Sequence, residues 1–186
     1  VKRWGKSYQV KKIGDDAFRE CSNLKSVEIP DGVESIGDDA FYQCINLTSI
    51  ELPDSVTSIG PCAFECCTNL TSIKLPSGIT SIEGSMFQEC SSLTDIELPD
   101  SVTSIGVSAF KWCGITSIKL PDGVTSIGEN AFCDCHSLTD IEIPKGVTKI
   151  EENTFYGCKN LKSVKIPDGV TSIGRSAFRE CRSLTR

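Results

Sequence analysis

The sequence has a single histidine, His136, among 186 residues. Ser and Asp are abundant, but one imidazole leaves no convincing Ser-His-Asp triad. No G-x-G-x-x-G, P-loop, H-E-x-x-H or C-x-x-C motif occurs, so phosphate, dinucleotide and metalloprotease chemistries find no support. No apolar run reaches 18 residues, which excludes a transmembrane helix, and no signal-peptide pattern is present. A basic excess is also missing. Lys and Arg total 19 against 25 Asp and Glu, for a net charge of −6. Nucleic acid and anionic membrane are therefore poor candidates for the main partner, because both need clustered cations. Hydrophobic residues at 39% and charged residues at 24% place the chain in the globular range.

What is present is repetition. The stretch Leu47 to Asn69, LTSIELPDSVTSIGPCAFECCTN, recurs along most of the chain with a 23-residue period. Ile13, Ile36, Ile59, Ile82, Ile105, Ile127, Ile150 and Ile173 form one column. Phe18, Phe41, Phe64, Phe87, Phe110, Phe132, Phe155 and Phe178 form a second. Leu24, Leu47, Leu70, Leu93, Ile115, Leu138, Leu161 and Leu184 form a third. One step is 22 residues long, because a residue is missing between Cys113 and Ile115, and this predicts an outside loop there. A fixed period of 20–29 residues signals a leucine-rich-repeat solenoid, here of about eight rungs with a parallel β-ladder. A single rung cannot bury its apolar side chains by itself, so the copies must stack. Residues 1–12 read as a degenerate part-repeat, with Trp4 where later copies place Val or Ile. They hold a basic stretch of Lys2, Arg3, Lys6, Lys11 and Lys12, which suits a frayed or partly capping end. Residues 13–186 form one domain. The chain begins and ends inside repeats, so a fragment of a longer array is expected, with end-to-end self-association through rungs that lack a polar cap.

Within one rung, Ile50 and Leu52 alternate with polar neighbours, as a strand with one buried face does, and Pro53 ends it. Val56 to Ile59 is a second extended segment. After Gly60 comes a position filled by Asp16, Asp39, Cys62, Ser85, Ser108, Asn130, Asn153 and Ser176. Most of these are preferred N-caps, which predicts a short helical turn ending near Asn23, Asn46, Asn69, Gly114 or Asn160.

Eleven cysteines would suggest a disulfide scaffold in a short secreted chain. Eight of them, Cys21, Cys44, Cys67, Cys90, Cys113, Cys135, Cys158 and Cys181, each follow the repeat Phe by three residues. They read as a core column of small apolar side chains. Only Cys62, Cys66 and Cys133 fall outside it. A Cys62–Cys66 bridge, or zinc at Cys62, Cys66 and Cys67 or at Cys133, Cys135 and His136, are the weaker alternatives; the two clusters are three rungs, about 14 Å, apart. Asp15, Asp16, Asp38 and Asp39 stack in a way that suits calcium, although their place at the expected helix start already accounts for them. Asn46-Leu-Thr48 and Asn69-Leu-Thr71 are glycosylation sequons that arise from the repeat consensus.

The pattern L-x-x-I-x-L-P-x-x-V-T-S-I-G-x-x-A-F-x-x-C-x-x-L, as in Leu47 to Leu70, resembles the BspA-like, or Treponema pallidum-type, leucine-rich repeats. The resemblance covers residues 13–184. Val56 stands where other leucine-rich repeats place Asn, so an Asn ladder is not expected. The resemblance implies a solenoid with a parallel ladder along one face and no catalytic residues or cofactor. It also implies a surface-exposed or secreted protein with an adhesive, virulence-associated role toward a host protein such as a matrix component.

Two surface patterns supply candidate binding residues. The strand position after the buried Ile reads Glu28, Glu51, Lys74, Glu97, Lys119, Glu142 and Lys165, with alternating sign from Glu51 onward. On a parallel ladder these are neighbours, so the alternation favours register and solubility as much as a charged binding stripe. Around the expected helical turn the copies disagree, and large residues appear: Tyr42, Lys111 with Trp112, and Tyr156. Exposed aromatics of this kind anchor partners, or mark unconstrained drift of a surface that packs nothing. The leading reading is a non-enzymatic binding or adhesion module. The alternative is an architectural spacer in a larger surface protein.

Overall fold

The computed structural model describes residues 9–185 together with the strands Lys2–Arg3 and Lys6–Ser7. Trp4 and the side chains of Lys2, Arg3 and Lys6 lie outside the described residues. The strands are β1 (Lys2–Arg3), β2 (Lys6–Ser7), β3 (Lys12–Ile13), β4 (Ser35–Ile36), β5 (Ser49–Glu51), β6 (Ser58–Ile59) and β7 (Ser72–Lys74). They continue with β8 (Ser81–Ile82), β9 (Ser104–Ile105), β10 (Ser126–Ile127), β11 (Asp140–Glu142), β12 (Lys149–Ile150), β13 (Ser163–Lys165) and β14 (Ser172–Ile173). β1 and β2 pair antiparallel. Every other pairing is parallel and joins residues one repeat apart, such as Ile36 with Ile59 and Ile50 with Ile73.

The strands lie in two strips along a β-solenoid. The I-x-L strip contains β5–β7 and β11–β13, and the V-T-S-I strip contains β3–β4–β6, β8–β9–β10 and β12–β14. Eight Ile positions from Ile13 to Ile173 bound seven full turns, one fewer than a count of column members suggests. In-register stacking puts like on like. The eight Phe rings stack face to face, with centroids 5.0–5.8 Å apart and planes within 2–16°. Phe41, Phe64, Phe87, Phe110, Phe132 and Phe155 are fully buried, as are Leu47, Leu70, Leu93, Val56 and Val102. The core is thus one continuous column of short-range contacts, each rung closing over its neighbour.

The expected helical turn is absent. Residues 14–21 and their counterparts form overlapping β-turns whose N–H groups point alternately inward and onward. Ala17 N–H donates to the Gly14 carbonyl (3.3 Å), Arg19 to Asp16 (3.0 Å) and Cys21 to Phe18 (3.1 Å). Between them, Asp16, Phe18 and Glu20 donate to Asp38 (2.9 Å), Ala40 (2.8 Å) and Tyr42 (2.7 Å) of the next rung. A helix would direct every N–H along its own axis and give up these rung-to-rung bonds. Two residues per rung adopt the left-handed region to make the split. One is the expected cap position, with φ of 53–58° from Asp16 to Ser176. The other precedes the core cysteine: Glu20, Gln43, Cys66, Glu89, Trp112, Asp134 and Glu180 have φ of 54–65°, and Gly157 has 72°. Asp and Asn favour both an N-cap and a left-handed turn, so the residue types alone do not separate the two. None of Asn23, Asn46, Asn69 and Asn160 is left-handed. Instead Asn46 and Asn160 donate side-chain amides to the Ser22 (2.7 Å) and His136 (2.9 Å) carbonyls one rung back.

An L-residue at these φ values is strained, whereas glycine is not. Glu89→Gly is therefore expected to stabilise the fold by about 0.5–1 kcal/mol, after allowing for glycine's larger unfolded-state entropy. The urea midpoint should rise. A midpoint lowered by this change would show that Glu89 contributes more through its side chain than its backbone costs.

Candidate binding surfaces

The turn ribbon carries the larger side chains. Trp112 is 43% exposed even though it occupies a left-handed position. The Lys111 ammonium lies 4.3 Å from the Trp112 ring centroid. The indole Nε1–H donates to Asp134 Oδ2 at 3.1 Å, and the Cys133 thiol reaches the same oxygen at 3.4 Å. On the following rungs His136 Nδ1 lies 2.9 Å from the Gly157 carbonyl and Nε2 lies 3.5 Å from Lys159 Nζ. A carbonyl can only accept, so Nδ1 carries the proton and Nε2 faces the ammonium. His136 Nδ1 also lies 4.0 Å from Asp134 Oδ1, so Lys111, Trp112, Asp134, His136 and Lys159 form one connected polar-aromatic patch.

Tyr42 does not join it. It lies three rungs from Trp112, about 14 Å along the coil. The Arg19 guanidinium covers one face of its ring at 4.2 Å, and Gln43 donates to its hydroxyl at 3.3 Å. Burial is the main cause that raises the Tyr42 phenol above its ordinary pKa. Tyr156 is half-buried on the ribbon. The sequence singled out Lys111 and Trp112 but missed Asp134 and Lys159. The signal was the column, since Asp134 stands where Trp112 stands, one repeat on.

The charged stripe runs along the other strip, and all of Glu51, Lys74, Glu97, Lys119, Glu142 and Lys165 are exposed. Glu51 and Lys74 are register partners. The one ion pair along the stripe among the described residues joins Lys165 and Glu142 at 2.5 Å. Both side chains are mostly solvated, so the pair contributes little. Between Lys74 and Asp140 neither Asp95–Leu98 nor Ser117–Leu120 forms a strand, and only the leading Thr keeps its bonds, Thr116 N–H to Thr94 (3.0 Å) and Thr139 N–H to Thr116 (3.1 Å). Clefts of about 570 and 340 Å³ lie there, flanked by Lys74, Glu97 and Lys119. Those three charges line open grooves.

The cysteines are all free. In the core column the thiol donates to the Phe carbonyl one rung back: Cys44 to Phe18 (3.1 Å), Cys67 to Phe41 (3.2 Å), Cys90 to Phe64 (3.2 Å), Cys135 to Phe110 (2.9 Å) and Cys158 to Phe132 (3.1 Å). Each such carbonyl also takes a backbone N–H from the next core cysteine, as Phe41 does from Cys44. Cys113 is the exception, its thiol facing the Cys90 carbonyl at 3.4 Å. The shorter corner after it is closed tightly, since a Cβ on Gly114 would collide with the Ser91 carbonyl. Burial pushes Cys113 up to about 12 and Cys44 up to about 11, and drives Cys90 and Cys135 well above the ordinary thiol range. Cys62, Cys66 and Cys133 are likewise pushed up to about 12, again chiefly by burial. These are poor nucleophiles and poor metal ligands, both of which need the thiolate. Among the described residues no group of three or more His, Cys, Asp or Glu is placed to hold a metal. The stacked aspartates are engaged otherwise. Arg19 pairs with Asp16 (3.0 Å) and Asp39 (2.9 Å), Lys12 with Asp15 (3.5 Å), and the Asp38 N–H donates to Asp15.

A parallel coil of 23-residue turns with an exposed strand stripe defines a leucine-rich-repeat protein. The BspA type leucine rich repeat region matches residues 7–115 and 103–186, in six copies. The chain belongs to this family, a class of protein-interaction repeats and not an enzyme family. Its fold is similar to that of a T. pallidum leucine-rich repeat protein, at 34% identity over 94% of this chain and 82% of that one, with a TM-score of 0.85. A leucine-rich cell surface protein of Faecalibacterium prausnitzii is also 34% identical, over 100% of this chain and 66% of that one, with a TM-score of 0.62. The pneumococcal vaccine antigen PcpA is 25% identical over 92% of this chain and 51% of that one, with a TM-score of 0.57. No curated protein matches the chain.

Proposed function

We propose that the chain is a non-enzymatic adhesion module of a cell-surface or secreted protein, and that it binds an extracellular or host-surface protein such as a matrix component. The observation that carries this reading is the Trp112 patch. Its indole is exposed, yet it is held by Lys111 over the ring and by Asp134 at Nε1. An aromatic side chain ordered before binding loses little entropy on contact, which is the property of an interface anchor. Likeness to a cell surface protein and to a vaccine antigen supports the location.

The test is binding of the purified chain to a panel of immobilised matrix proteins by surface plasmon resonance. For any protein that binds, Trp112→Ala is expected to weaken affinity by about 30-fold or more, the scale of an anchor worth ~2 kcal/mol. Unchanged affinity would remove Trp112 as the anchor. No binding to any member of the panel would favour the architectural spacer.

A further inference from the structure

We propose that Glu83 and Glu151 are built-in hinges. Each stands in an otherwise glycine column and opens the V-T-S-I ladder, so that this ladder is divided into three blocks. The residue after the core Ile reads Gly14, Gly37, Gly60, Glu83, Gly106, Gly128, Glu151 and Gly174. At Gly37, Gly60, Gly106, Gly128 and Gly174 a Cβ would sit 2.6–2.7 Å from a backbone nitrogen of the preceding rung and 2.7–2.8 Å from a carbonyl carbon. Backbone atoms cannot turn aside as a flexible side chain can, so any residue but glycine forces that pair of rungs apart. The same glycines close the ladder. Gly37 N–H donates to Ile13 (2.9 Å), Gly60 to Ile36 (2.9 Å), Gly106 to Ile82 (2.7 Å), Gly128 to Ile105 (2.9 Å) and Gly174 to Ile150 (2.7 Å).

At both glutamates that bond is missing. Thr57, Thr103, Thr125 and Thr171 each donate an N–H to the rung before at 2.8–2.9 Å, but Thr80 and Thr148, on the glutamate rungs, do not. The ladder is continuous at every step that ends in glycine and broken at each step that ends in glutamate, between β6 and β8 and between β10 and β12. The carboxylates are held by local partners, Glu83 by the Ser81 hydroxyl at 2.5 Å and Glu151 by Lys149 at 2.6 Å.

The opposite side of each open step remains bonded. Cys62, Phe64 and Cys66 donate to Gly84, Met86 and Gln88 at 2.8–3.1 Å across the first step. Asn130, Phe132 and Asp134 donate to Glu152, Thr154 and Tyr156 at 2.7–3.0 Å across the second. The I-x-L strip is bonded too, by β5 with β7 across the first step and by Thr139 N–H to the Thr116 carbonyl (3.1 Å) across the second, so each step is a wedge that is free only at the V-T-S-I strip. The widest ring spacing in the Phe column, 5.8 Å between Phe64 and Phe87, falls at the first of them.

Amide hydrogen exchange on the whole chain tests this. The amides of Thr80, Glu83, Thr148 and Glu151 are expected to exchange on the order of tenfold faster or more than those of Thr57, Thr103, Gly106, Thr125 and Thr171. Glu83→Gly should bring residue 80 into the slow group and leave residue 148 fast, and Glu151→Gly should do the reverse. Equal protection of Thr80 and Thr103 in the unaltered protein would overturn the proposal. So would Glu83→Gly with Thr80 exchange unchanged.

Discussion

Raising the pH from 7 to 10 is expected to unfold the protein. Cys67, Cys90, Cys113, Cys135 and Cys158 are buried, and burial raises the pKa of each thiol in the fold. In the unfolded chain they ionise near the ordinary value of about 8.5–9. Above that pH the unfolded state binds fewer protons than the fold, so stability falls as pH rises. Below it both states keep their thiols protonated and these groups add no pH dependence. Each thiol costs about 1.4 kcal/mol per pH unit in that window, so five cost about 7 kcal/mol per unit. Domains of this kind have ~5–15 kcal/mol in total. Circular dichroism under reducing conditions should show a transition near pH 10. A chain still folded at pH 11 would mean that the thiol column tolerates ionisation, and the buried S–H···O=C bonds would need another description.

Replacing Phe87 with Ala is expected to lower the unfolding free energy by about 3–5 kcal/mol. The ring is fully buried between Phe64, 5.8 Å away, and Phe110, 5.6 Å away. Its loss leaves a hole in the middle of the column. The flanking rings are held in register by turn-ribbon bonds, such as Phe64 N–H to Met86 O and Phe87 N–H to Ala109 O, so they cannot slide in to fill it. A one-dimensional array also has no second core layer to take up the strain. Urea unfolding measures the effect, with Ile45→Ala as a surface control expected within about 0.5 kcal/mol because Ile45 is 41% exposed. A loss below about 1 kcal/mol at Phe87 would show that the rungs collapse around the gap.

The repeat columns were legible because stacking converts a sequence period directly into contacts. Ile, Phe, Leu and Cys at fixed offsets have to meet their own kind, and they do. The turn ribbon was not legible. Asp and Asn suit a helix cap and a left-handed turn alike, and the choice is made by carbonyls one rung away. The candidate patch was half visible, since Trp112 and Lys111 stand out from their columns while Asp134 and Lys159 acquire meaning only from the neighbouring rungs.

The sequence by itself therefore determined the parallel coil and the buried columns, because these follow from residue type and period. The tertiary structure alone decided where the ladder stays closed and which surface charges meet. Those outcomes depend on distances of a few ångströms between backbones a full repeat apart. A glycine at one rung can be judged necessary only when the nitrogen of the rung before it is seen 2.6 Å from where a Cβ would be.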